Sequence, residues 1–90
     1  MHIDIAWDAD KAVANFKMHG VRFEEAATSL LDPQALAQED MGSEGEVRWL
    51  LVGMSASARL LTVVYTWRDE DRVRVISARK ATCKEAEYYA

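Results

Sequence analysis

The apolar residues of this 90-residue chain change their spacing at Asp32-Pro33, and few folds of this size can hold both patterns. Before that point the spacing is mainly helical. Residues 2–7 alternate, with Ile3, Ile5 and Trp7 on one side, which predicts a short strand. Asp8 is placed to cap a helix over 9–19, with Ala12, Val13 and Phe16 as its apolar stripe and Gly20 as its stop. A second helix is expected over 23–31, with Glu24 and Glu25 in the first turn, where the helix dipole favours acids. Proline then disfavours helix in the residue before it.

After Pro33 the period is two. Residues 34–39 predict a short strand and 40–45 a polar turn. Branched and aromatic residues predict strands over 46–54 and 60–67, joined by a hairpin loop at 55–59, with another turn at 68–71. In 72–77 Val73, Val75 and Ser77 alternate with Arg72, Arg74 and Ile76. Thr82 and Glu85 have the spacing of a capping box, so a last short helix begins there. The expected fold is α+β, one domain over 1–90: a strand, two helices, an antiparallel meander sheet of three to four strands, and a short C-terminal helix. The helices would cover one sheet face and leave the other open to a ligand.

The composition excludes several classes of function. No apolar run approaches the roughly 18 residues of a membrane span, and the acidic N-terminus lacks the pattern of a signal peptide, so a cytoplasmic protein is expected. A single cysteine, Cys83, permits no internal disulfide. His2, His19 and Cys83 lack metal-ligand spacing, and neither metal nor cofactor is expected. The net charge of −4 hides an asymmetry: residues 1–46 carry three bases against ten acids, and residues 47–90 eight bases against five acids. Such a chain can offer a basic face to RNA and an acidic face to a basic partner.

Several stretches, taken together, resemble the BrnT toxin family. They are Trp7-Asp8, Lys11, Asn15, the run His19-Gly20-Val21-Arg22-Phe23-Glu24-Glu25-Ala26, Asp32-Pro33, Gly45-Glu46 and Arg48. The C-terminal part adds Val63-Val64-Tyr65-Thr66, then Arg74-Val75-Ile76-Ser77-Ala78-Arg79-Lys80-Ala81-Thr82, Glu85 and Tyr88. Met18, Trp67 and Cys83 depart from the pattern; Met18 and Cys83 stand where bases are usual. The resemblance implies a RelE-like fold and a ribonuclease that arrests growth. It also implies a BrnA-like antitoxin with a ribbon-helix-helix domain, through which alone the complex would reach operator DNA.

Metal-free RNA cleavage uses the ribose 2′-OH as nucleophile, with acid–base assistance and cations on the phosphoryl oxygens. Arg79 and Lys80 are the first candidates, because a strand aims them, although as neighbours they point to opposite faces. Arg68 and His19 complete the catalytic candidates, His19 because imidazole titrates near neutrality. His19 suits a helix C-terminus better, where its charge is favoured. Arg48 and Arg59 are candidate RNA contacts and Trp7 a candidate stacking platform. Trp49 and Trp67 read as core or partner-facing residues. Two other readings stay open: a non-catalytic module that binds the antitoxin, and a small RNA-binding protein.

Overall fold

A computed structural model describes residues 3–42 and 45–89; His2, in the expected first strand, and Ser43 and Glu44, in the expected polar turn, lie outside them. The elements run β1 (Asp4–Ala6), α1 (Ala9–His19), α2 (Phe23–Leu30), β2 (Leu36–Asp40), β3 (Arg48–Met54), β4 (Leu60–Asp69), β5 (Arg72–Lys80) and α3 (Cys83–Tyr88).

Local chemistry sets the helix ends. The Asp8 carboxylate accepts the Lys11 N–H at 3.0 Å. At the far end of α1, Gly20 takes a left-handed φ of 70° and its N–H closes onto the Phe16 carbonyl. The expected capping box is present: the Glu85 N–H donates to Thr82 Oγ1 and the Thr82 N–H to Glu85 Oε1. α2 ends one residue earlier than expected, with Leu31 as its cap.

The five strands lie in the order β1-β5-β4-β3-β2. β2 through β5 form the antiparallel meander, and β1 joins its far edge parallel to β5. α1 packs on β5 and α2 on β3, β4 and β5. Between these helices and the sheet lies a core of Val21, Phe23, Ala26, Leu61, Val63, Val75 and Ala78, all at most 1% exposed. Trp7 closes one side of it, edge-on to Phe23 with ring centroids 6.0 Å apart.

Three expectations are corrected. Val13 and Phe16 are not the buried stripe of α1: they are 56% and 41% exposed, and the residue α1 buries is Asn15. Asn15 donates to the Val21 and Ala78 carbonyls and accepts the Ala78 N–H, so it must face β5. Phe16 instead lies under the Arg22 guanidinium, 4.4 Å from its ring centre. Second, Ser77 does not share a face with Val73 and Val75. A bulge leaves Ile76 without a partner, and the phase flips so that Ala78 enters the core. Third, the sheet face away from α1 and α2 is not wholly open, because α3 lies across part of it. Glu85 there accepts from Thr62 and Arg79, and Tyr88 lines a recess with Leu50 and Val52.

Candidate nucleic-acid interface

The register of the strands sorts the open face into three cross-strand rows. Arg79, Thr62, Val52 and Leu36 form the first, and Ser77, Val64, Leu50 and Gln38 the second. Arg74 and Thr66 pair in the third, which alternation along β3 and β2 continues through Arg48 and Asp40. Side chains at i and i+2 on a strand lie about 7 Å apart, so consecutive rows have that spacing. α3 crosses the first two rows and leaves the third uncovered.

The uncovered end gathers arginines, with Asp4 opposite Arg72 in the ladder on one side and Asp69 opposite it on the other. Arg68, Arg72 and Arg74 line a shallow recess of about 290 Å³ together with Ala6, Trp7 and Asp8. Each arrives by a different route. Arg72 and Arg74 stand two apart on β5 and so share a face. Arg68 is the unpaired residue of a second bulge, between Trp67 and Asp69, and the bulge turns it toward the recess. Trp7 and Asp8 come from the turn between β1 and α1. Arg48 stands beside this cluster, and its buried Nε has no hydrogen-bond partner among the described residues. Arg68 is held only loosely, 3.8 Å from Glu46, with both side chains half exposed. Three guanidiniums around one recess, with an indole on its wall, can hold phosphate oxygens and stack a base.

The other candidate residues are placed elsewhere. Arg79 lies on this face under α3, and its fork is taken up by Glu85 through two bonds of 2.7 and 2.8 Å. That same carboxylate also accepts from Thr62 Oγ1 and the Thr82 N–H. Mainly through Arg79, this set holds Glu85 down at about 2. In the unfolded chain Glu85 protonates near its ordinary value of about 4.3. Its pKa is lower in the fold, so the stabilisation is full above that value and fades as pH falls toward 2. Between pH 5 and 2.5 the wild-type melting temperature should therefore drop more steeply than that of Glu85→Gln, measured by circular dichroism. Equal slopes would show that the pair contributes nothing.

Lys80 is exposed and, opposite Leu61 in the ladder, has the other facing from Arg79. Arg59 is spent on structure. Its Nε and a terminal nitrogen both donate to Glu25, and another bond reaches the Gly20 carbonyl. His19 is exposed at the C-terminal end of α1, beside that same Gly20. Trp7 and Asp8 precede the other end of this 11-residue helix, about 16 Å away. The fold thus brings Arg68 and Trp7 together at the recess, leaves Arg48 on β3 outside its lining, and keeps His19, Arg59 and Lys80 apart from it. Arg72 and Arg74 line the recess and were not among the candidates read from the sequence. Their signal was the alternation itself, which sets two arginines opposite the buried Val73 and Val75.

Among the described residues, no three His, Cys, Asp or Glu side chains cluster as metal ligands, and no helix is long and apolar enough to cross a membrane.

Known proteins share both the sequence pattern and the fold. A family model described as the ribonuclease toxin BrnT of type II toxin–antitoxin systems matches residues 7–85. No curated protein matches the chain by sequence. Among solved structures, the crystal structure of the Brucella abortus ribonuclease toxin BrnT aligns with a TM-score of 0.69. The alignment has 22% identity and covers 89% of this chain and 97% of that one, a likeness of fold.

Proposed function

This chain belongs to the BrnT family of ribonuclease toxins of type II toxin–antitoxin systems, and from that premise we propose that it cleaves RNA at the Arg68, Arg72 and Arg74 recess. The observation that carries this reading is the clustering of three arginines, with Trp7, on the part of the sheet face that α3 leaves bare. The substrate 2′-oxygen attacks the adjacent phosphorus, the bond to the 5′-oxygen breaks, and that oxygen takes a proton from water in the open recess, giving a 2′,3′-cyclic phosphate and a 5′-hydroxyl. The guanidiniums take the charge that builds on the phosphoryl oxygens. Asp8, on the wall of the recess, accepts the 2′ proton. Trp7 stacks a base. No metal is needed in this scheme. Arg79 holds Glu85 and with it α3, and Arg59 serves the fold through Glu25.

Family membership implies an antitoxin. We assign it a ribbon-helix-helix domain, and the complex reaches operator DNA through that domain. Growth arrest follows from RNA cleavage in the cytoplasm when the antitoxin is lost. The acids of the N-terminal half, Glu24 and Asp10 among them, offer charge complementary to a basic antitoxin segment.

The test is incubation of the purified chain with total RNA in excess chelator. Fragments ending in 2′,3′-cyclic phosphate are expected. Intact RNA in the presence of correctly folded protein would overturn the reading. Cutting only after magnesium is restored would remove the metal-free mechanism.

A further inference from the structure

A second recess lies on the same sheet face, about 240 Å³ in volume, between α3 and the β2–β3 pair. Leu36, Leu50 and Val52 form its floor, Tyr88 and Glu85 its α3 side, and Gln38 its polar edge. Its lining is mostly apolar, and Tyr88 is 64% exposed there. Gln38 is also exposed, and no other described residue engages its side-chain amide.

Position gives this recess its meaning. Leu50 and Gln38 belong to the row next to the one that carries Arg74 and, by alternation, Arg48. One row is about 7 Å. β3 and β2 also lie two and three strands, about 10 and 14 Å, across the sheet from β5. An RNA strand with a phosphate at Arg74 and its next phosphates along the row toward Arg48 therefore brings a base about two to three nucleotides on to Leu50 and Gln38. An aromatic ring over an apolar floor is what a base stacks against, and a side-chain amide reads a base edge. We infer that this groove is a nucleobase subsite, in which Tyr88 stacks the base and Gln38 reads its edge. The amide offers a donor and an acceptor side by side, which on the Hoogsteen edge matches only adenine, through its N7 and N6–H. The inference rests on the proposed ribonuclease reading and adds to it a base preference at a fixed step from the cut phosphate.

The test measures binding of 2′-O-methyl uridine decamers, which cannot be cut, with and without a single central adenosine. Wild type should bind the adenosine-bearing decamer about tenfold more tightly. Gln38→Ala should erase that ratio. Tyr88→Ala should weaken both decamers about tenfold, and Tyr88→Phe should restore them, since the ring alone stacks. Arg74→Ala should weaken both while leaving the ratio unchanged. Thermal melting shows that each variant is folded. If Gln38→Ala and Tyr88→Ala keep wild-type affinities and ratio while Arg74→Ala loses affinity, the subsite is wrong and the ribonuclease reading stands. The subsite is equally wrong if the two groove variants lose only antitoxin binding, because the groove then belongs to the protein partner. Failure of wild type to bind either decamer overturns both.

Discussion

Replacing Arg72 and Arg74 together with alanine is expected to lower kcat/KM on RNA by about 10²–10³-fold while leaving the fold intact. Their guanidiniums lie at the recess rather than in the core, so their removal opens no cavity. Their cost falls on the transition state, where charge accumulates on the phosphoryl oxygens and donors fixed by a strand need no reorganisation. Removing one such donor commonly costs about 10²-fold, and members of one cluster do not add fully. The variant should also weaken RNA binding in a salt-dependent way. Losing two phosphate contacts reduces the slope of log K against log salt by about 1.4 for a single strand. Steady-state cleavage of a short RNA and binding titrations at several salt concentrations measure both. Activity within threefold of wild type would remove these arginines from the reaction. Arg79→Ala is the informative comparison. Its guanidinium is engaged by Glu85, so its loss should first unsettle α3, seen as a lower melting temperature.

Asn15→Ala should cost about 3–5 kcal/mol of folding stability. The Asn15 amide is buried and makes three bonds, to the Val21 carbonyl, the Ala78 carbonyl and the Ala78 N–H, at 2.9–3.1 Å. It ties α1, the turn into α2 and the end of β5 beyond the bulge. Alanine leaves three buried main-chain groups without partners, each costing about 1–3 kcal/mol, with some offset from backbone relaxation and entry of water. Asn15→Asp tests the geometry, because a carboxylate can accept the Ala78 N–H and cannot donate to either carbonyl. It should destabilise at least as much as alanine at neutral pH. Urea unfolding followed by circular dichroism gives both values. A loss below 1 kcal/mol for Asn15→Ala would show that the bridge is dispensable.

Asn15 also shows where sequence reading stops. A polar residue in mid-helix reads as solvent-facing, and Val13 and Phe16 read as the buried stripe. Whether an amide is worth burying depends on main-chain groups elsewhere, here Ala78, 63 residues away. The bulge at Ile76 is hidden for a similar reason. One strand's alternation cannot reveal that its partner has a residue fewer over the same span, and Val64 and Tyr65 face Ser77 and Val75 only in the folded ladder. Arg79 and Arg59 attracted attention as exposed bases near strand ends, yet each is matched to a carboxylate, Glu85 and Glu25. Arg72 and Arg74 were legible as a pair opposite the buried valines. What was not legible was that Arg68 and Trp7 meet them at one recess.

The sequence by itself determined the caps of α1 and the start of α3, the order of helices and strands, and the α+β class, because capping and hydrophobic period act over a few residues. The resemblance carried by its motifs reached the family as well, through a match that extends over residues 7–85. Only the tertiary structure decided which cations remain free to meet a ligand and which are already engaged. A guanidinium bonds whatever carboxylate folding brings within about 3 Å, and in Arg59's case that partner is 34 residues away in the chain. Availability is thus a property of the folded surface, set by contacts that a linear reading does not contain.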